Sequence, residues 1–313
     1  MKLSIIGAGN VGATTAFIAA LKSSELGIDE IVLVDIVEKI PQGKALDLNQ
    51  CVTVFNLDVK IVGSNSYADT ENSDVVVITA GLPRKPGMSR DDLIDKNAGI
   101  VKGVVENIMK FSDHPWIIIV TNPLDAMVYV ASSCVLEKRG KDAADKVIGM
   151  AGTLDSARMR FFLAEELGEG KEAIEALTIG SHGDEMVPLM SSATANQKSL
   201  SKVMNDKKMK EIVDRTKKGG AEIVDLLGTS AYYAPAAAIV EIIEAIDTEK
   251  IVPVSVNYRG VFIGVPVKLS DGTVEIQQNM LDSMNSEEKK MFDDCIEKVK
   301  SLIDKTEEIL KNK

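Results

Sequence analysis

Two periodicities divide the first half of the chain. Short, nearly continuous apolar runs at residues 3–6, 31–35 (IVLVD), 74–79 (DVVVIT) and 116–121 (WIIIVT) have strand length and are rich in β-branched residues. Residues 57–62 alternate instead. A run that is apolar on both sides of the pleat suits a strand covered on both faces, as in a parallel sheet. Stretches of helical character, at residues 13–22 and 91–111, separate several of these runs. Alternating strand and helix predicts an α/β, doubly wound parallel sheet.

The pattern changes after about residue 150. Helices are predicted at 154–167, 207–227 and 232–246, and shorter strands at 176–179, 186–190, 251–256 and 261–269. Asp271-Gly272 reads as a hairpin turn. Ser286 reads as the N-cap of a closing helix, with Glu287 and Glu288 near its positive end. The expectation is an α/β domain over residues 1–145 and an α+β domain over 146–313, packed together rather than hinged.

Composition narrows the partners. The chain has 313 residues, 45% hydrophobic and 27% charged, with a formal net charge of -11. Such a surface repels nucleic acid and anionic membranes, so neither is expected as a partner. An anionic substrate would need a local cationic pocket. The three cysteines are widely spaced and form no CxxC, which fits free thiols in a reducing cytoplasm rather than disulfides or zinc. No run of about 20 apolar residues is present, so no transmembrane helix is expected.

Gly7-Ala8-Gly9-Asn10-Val11-Gly12 is a G-x-G-x-x-G stretch between a strand and a helix. Its glycines would allow the tight turn, the approach of a pyrophosphate, and close packing of helix on strand. The helix N-terminus would add free N–H groups and partial positive charge. Asp35 ends the second strand, where a carboxylate accepts ribose hydroxyls and repels a 2′-phosphate. This favours NAD over NADP. The alternative is a glycine-rich turn with an unrelated surface aspartate.

Arginine is scarce: seven of the 36 basic residues are Arg. Two of them, Arg84 and Arg90, flank a Pro-Gly pair in ITAGLPRKPGMSR. A guanidinium is a planar fork suited to carboxylate or phosphate. Asp155 and Arg158 are three apart in LDSAR, hence on one helix face, as a surface ion pair or as part of a site. His182 lies between glycines in GSHGDEMVP, an unusual setting for a core side chain. His114, the other histidine, reads as a solvated turn residue. Thr121-Asn122-Pro123 closes the fifth strand, and strand C-termini are where open α/β sheets bind ligands.

Together these stretches, with IVLVDIVE, PQGKALDL, TNPLDAM, RTKKGGAEIV and SAYYAPAAA, resemble the lactate/malate dehydrogenases, and more closely their lactate-dehydrogenase-like malate dehydrogenase branch. The matching stretches run from residue 7 to about 238. The resemblance implies a Rossmann-type NAD-binding domain followed by an α+β substrate domain. It implies His182 as proton donor and acceptor, with Asp155 orienting it. Arg158 would fork onto the substrate C1 carboxylate, Arg90 would polarise the carbonyl, and Arg84 would bind a second carboxylate. Asn122 would contact substrate and the nicotinamide side. Gly7, Gly9, Asn10, Val11, Gly12, Asp35, Asn97, Val120 and Thr121 would line the cofactor site. No metal is implied.

Arg84, Met88 and Ala231 follow the malate pattern, where the lactate branch has Gln, Glu and Thr. The link at 257–261 is shorter, and the stretch at 137–146 longer and more charged, than the family's usual form. The expected activity is reversible NAD-dependent oxidation of L-malate to oxaloacetate. The expected state is a cytoplasmic homo-oligomer, a tetramer before a dimer. The rival readings are a lactate or broad 2-hydroxyacid dehydrogenase, an NAD-dependent glycosidase, and a non-catalytic NAD-binding module.

Overall fold

The computed structural model describes residues 1–83, 88–270 and 272–311. The side chain of Arg90 also lies outside the described part. The first half runs β1 (Lys2–Ile6), α1 (Asn10–Leu21), a short α2 (Ser23–Leu26), β2 (Glu30–Val34), α3 (Ile40–Val54), β3 (Lys60–Ser64) and β4 (Val75–Ile78). Then come α4 (Arg90–Ile108), β5 (Trp116–Ile119), α5 (Leu124–Arg139), α6 (Lys141–Ala144) and β6 (Val147–Gly149). These strands pair in parallel in the order β3-β2-β1-β4-β5-β6. That is the doubly wound dinucleotide-binding order, with its switch point between β1 and β4. Leu3, Ile5, Ile31, Leu33, Ile78 and Ile118 are fully buried, as strands covered on both faces require.

Three details depart from the sequence reading. β3 occupies Lys60–Ser64 rather than 57–62, because Leu57 still bonds back to Val52 at the end of α3 and pairing with β2 begins at Lys60. α3 has no clean apolar stripe, since Leu46 and Val54 are exposed. β6 is three residues long, too short for a period to register. The division expected near residue 145 falls ahead of β6, which extends the parallel sheet beyond β5.

The second half begins with α7 (Gly152–Leu167), then β7 (Ile174–Glu175), β8 (Thr178–Ile179), β9 (Val187–Pro188), β10 (Thr194–Ala195) and β11 (Lys198–Ser199). Next are α8 (Leu200–Val203), α9 (Asp206–Leu227) and α10 (Tyr233–Ala245). The chain closes with β12 (Val252–Tyr258), β13 (Val261–Ser270), β14 (Thr273–Ile276), α11 (Gln278–Asp282) and α12 (Ser286–Lys311). β12, β13 and β14 form an antiparallel meander that joins the parallel sheet through Ser255 opposite Gly149, giving nine strands. β8 pairs β9, and β7, β10 and β11 form a third small sheet.

The short link between β12 and β13 is a two-residue turn. Arg259 and Gly260 both have positive φ, 53° and 84°, the requirement of a tight hairpin that follows strand twist. Of the predicted turn between β13 and β14, Asp271 lies outside the described residues, and Gly272 has φ 70°. The closing helix is capped one residue earlier than expected. Asn285, not Ser286, accepts the N–H groups of Glu287 and Glu288 at 2.9 Å. Glu288 reaches back to the Asn285 N–H at 3.0 Å, the reciprocal arrangement of a capping box. One apolar cluster runs through both halves, from Leu3 and Ile118 to Ile263 and Phe292. A smaller one ties Met159, Phe162 and Leu163 of α7 to Ile212 of α9.

Candidate active site

The glycine turn leaves β1 at the carboxyl edge of the sheet. Gly7 has φ 106°, and a Cβ there would sit 2.6 Å from Thr79 Oγ1 and 2.8 Å from the Ala80 nitrogen. A Cβ on Gly12 would lie 1.9 Å from the Gly7 carbonyl oxygen, so α1 could not pack so close to β1. A Cβ on Gly9 would meet nothing within 4 Å. Gly9 is therefore the one of the three glycines that faces open space. It is also the N-cap of α1 and carries no capping side chain, so the first N–H groups of Asn10 and Val11 remain available to an anion. The helix begins at Asn10 rather than at residue 13, which brings it up against the turn. These features fit a dinucleotide pyrophosphate.

Asp35 directly follows β2. Its Oδ2 accepts the Ala8 N–H at 2.7 Å and its Oδ1 accepts the Val37 N–H at 2.9 Å. The carboxylate thus stiffens the turn and still has lone pairs for a ribose. Sequence reasoning missed Lys44, whose ammonium donates to the Ala8 carbonyl at 2.6 Å. PQGKALDL contributed to the resemblance, but nothing in it pointed Lys44, on a helix remote in sequence, toward the turn.

The ends of β4 and β5 supply the floor. Asn97 is buried and its amide is fully engaged. It accepts the Leu82 N–H at 2.8 Å and donates to the Leu82 and Asn122 carbonyls at 3.1 and 2.6 Å. Asn97 therefore ties the start of the arginine-bearing segment to the end of β5. Thr121 is buried and donates to the Ala80 carbonyl at 2.7 Å, while Val120 is half-buried. The Asn122–Pro123 peptide is cis. Arg84 lies outside the described residues. Ser89 caps α4 with a capping box to Asp92, immediately ahead of Arg90.

The second half contributes the titratable groups. Asp155, 1% exposed, sits in the first turn of α7. Its Oδ2 is 2.9 Å from His182 Nδ1, and its Oδ1 accepts Arg158 Nη1 at 3.0 Å. One carboxylate thus holds both a histidine and a guanidinium. An ionised carboxylate only accepts, so His182 Nδ1 carries the proton of this bond and Nε2 is left to exchange protons. Burial disfavours the imidazolium, but the charge and hydrogen bond of Asp155 outweigh it and raise the His182 pKa above its ordinary 6.5. Arg158 Nε is buried and has no partner among the described residues. A Cβ on Gly219 would come 3.3 Å from Arg158 Cδ, and one on Gly220 3.5 Å from Nη2. The glycine pair of RTKKGGAEIV therefore gives the guanidinium its space beside α9.

His182 rides on a turn tied to the sheet edge. Gly180 exchanges backbone hydrogen bonds with Gly264 of β13 at 2.8 and 3.0 Å. Ser181 donates to Asp125 Oδ2 at 2.6 Å, and Ser255 of β12 donates to Asp125 Oδ1 at 2.8 Å. Asp125 lies in the first turn of α5, just beyond β5. The histidine of the second half is thus anchored at the carboxyl end of the parallel sheet. Asp125, Ser181 and Ser255 were not read from the sequence. A buried acid within an otherwise apolar helical stretch, DAMVYVASSCVL, was the available signal.

A dinucleotide turn and a half-buried histidine held by a buried aspartate, secured to the same sheet edge, define an NAD-dependent oxidoreductase. Residues 1–149 match the lactate/malate dehydrogenase NAD-binding domain, and residues 152–310 match the alpha/beta C-terminal domain of the same family. The chain belongs to the lactate/malate dehydrogenase family. A malate dehydrogenase of Rhodopirellula baltica is 49% identical over 313 residues, covering 96% of each chain. The structure of the malate dehydrogenase from Salinibacter ruber superposes with a TM-score of 0.89 at 41% identity, over 100% of this chain and 99% of that one. That of Plasmodium falciparum malate dehydrogenase in complex with NADH gives 0.87 at 30% identity, over 99% of both. Among the described residues no helix is long and apolar enough to cross a membrane.

Proposed function

We propose that the chain is an L-malate dehydrogenase catalysing L-malate + NAD⁺ ⇌ oxaloacetate + NADH + H⁺. The observation that carries this reading is Asp155 holding His182 Nδ1 and Arg158 Nη1 at 2.9 and 3.0 Å, which sets a proton carrier beside a carboxylate grip. NADH, when bound, supplies the hydride to the C2 carbonyl of oxaloacetate. Gly7, Gly9, Asn10, Val11 and Gly12 would receive its pyrophosphate, and Asp35 its ribose. Val120, Thr121, Asn122 and Asn97 would form the wall toward the nicotinamide.

In the reductive direction His182 Nε2 gives its proton to the carbonyl oxygen, and Asp155 stabilises the imidazolium beforehand and keeps the ring in register. In the oxidative direction neutral His182 takes the hydroxyl proton. Arg158 would fork onto the C1 carboxylate, and its unpartnered Nε supports that role. Arg90 would polarise the carbonyl. Arg84 would hold the second carboxylate, which separates a four-carbon dicarboxylate from pyruvate. With water excluded, each guanidinium contributes more than it would in solution.

The same reading makes the protein a cytoplasmic homo-oligomer, a tetramer before a dimer, acting in the tricarboxylic acid cycle. Exposed Phe161, Leu226, Leu227 and Tyr233 leave apolar surface available to a partner subunit, and three widely spaced cysteines without a CxxC fit a reducing compartment. His182→Asn tests the reading. It should leave NADH binding intact and lower kcat by about 10²–10⁴-fold. Near-normal turnover would remove His182 from the reaction.

A further inference from the structure

The reaction as described uses Asp155 alone to support His182, yet a second carboxylate lies behind the same turn. Asp125 is 2% exposed. It accepts Ser181 Oγ at 2.6 Å and Ser255 Oγ at 2.8 Å; burial pushes its pKa up, and those two hydroxyls and the charge of His182 oppose the rise. No Lys or Arg is bonded to it among the described residues. A buried carboxylate without a cation is costly unless something compensates it. Two hydroxyl donors provide part of that compensation, one from the His182 turn and one from β12.

We propose that Asp125 is a positioning residue for the reaction, anchoring the His182 turn to the end of β5 and adding negative charge behind the imidazole. The inference rests on the proposed role of His182. Two carboxylates then flank one ring. Asp155 binds Nδ1 directly, and Asp125 acts through Ser181 and through space. The other charged and titratable groups around the turn are few. Arg158 on α7 opposes protonation of His182. Cys295 on α12 accepts the Ser181 N–H at 3.2 Å, and burial pushes its thiol up to about 11, so it stays neutral. Glu185 is paired with Lys298 of α12 at 2.5 Å. Asp155 and Asp125 are thus the two carboxylates whose charge favours the imidazolium, Asp155 more strongly.

The chain has only two histidines, so the test is direct. Imidazole NMR of the full protein, without substrate, follows His182 with exposed His114 as the internal reference. Asp125→Asn keeps an acceptor for the hydroxyls and removes the charge. Its His182 titration should move down by on the order of one pH unit, while His114 stays put. The pH profile of oxaloacetate reduction should lose its alkaline end by the same shift. Should Asp125→Asn fail to fold, the double variant Ser181→Ala, Ser255→Ala carries the test. It strips both hydroxyl donors, so the carboxyl binds a proton more readily and His182 again titrates lower. A folded variant whose His182 titration matches the unmodified protein overturns the inference. An unmodified protein that binds NADH but turns over no oxaloacetate overturns the proposed function instead, and leaves the NMR comparison intact.

Discussion

Replacing Asp155 by Asn probes the geometry at its most connected point. The substitution keeps size and removes one charge from a side chain that is 1% exposed. Two partners lose it together: His182 at 2.9 Å and Arg158 at 3.0 Å. Breaking a buried charge pair by removing one partner costs about 3–5 kcal/mol. A loss of that size in the reacting complex lowers kcat/KM by about 10²–10⁴-fold. An Asn amide can also present N–H to Nδ1 and so select the wrong tautomer, which acts in the same direction. The assay is NADH consumption with oxaloacetate under steady-state conditions, with NADH affinity measured by fluorescence and folding by thermal unfolding. NADH affinity should be unchanged, because Asp35 and the glycine turn lie on other elements. Near-normal kcat/KM in a folded variant would remove Asp155 from the support of His182, since no other described residue bonds His182 Nδ1.

Opposite pH profiles should mark the two directions. The His182 pKa is raised above 6.5, so its protonated form persists past that pH. Oxaloacetate reduction should hold its kcat/KM above 6.5 and fall as pH rises through the raised value, while malate oxidation climbs over the same window. The contribution to stability has the sign of the reduction profile: it is fully present below 6.5 and lost as pH rises through the folded value. Parallel profiles in the two directions would contradict this. Arg84→Gln should weaken oxaloacetate and improve pyruvate, because it would remove the proposed fork onto the second carboxylate together with the charge that pyruvate would leave unpaired, a change of roughly 10²–10³-fold in selectivity. Arg90→Gln should impair both substrates; equal losses from Arg84→Gln would show that Arg84 is not the selector.

Much of the frame was legible because burial on both faces leaves a plain mark. VVVI and WIII cannot be confused with amphipathic helix, and they are β4 and β5. Where burial is one-sided or brief the mark fades. α3 exposes Leu46 and Val54, so its apolar positions describe no stripe, and β6 has only Val147, Ile148 and Gly149. The helix cap at Asn285 was misplaced by one residue because Ser286 is an equally good capping type, and only the bond directions separate them. The Asp155–Arg158 spacing was visible as a shared helix face. That His182 completes it, 27 positions away, was legible only through resemblance. Asp125 and Lys44 were hidden for a physical reason: each acts through backbone or hydroxyl partners that lie on other elements.

The central claim is dicarboxylate specificity with NAD. The most direct measurement compares kcat/KM for oxaloacetate and pyruvate on the purified protein, each with NADH and with NADPH. Oxaloacetate should lead pyruvate by about 10²–10³-fold, the value of a charge-assisted pair to its second carboxylate. NADH should also lead NADPH, because Asp35 repels a 2′-phosphate. Equal rates with oxaloacetate and pyruvate, or a preference for NADPH, would contradict the claim.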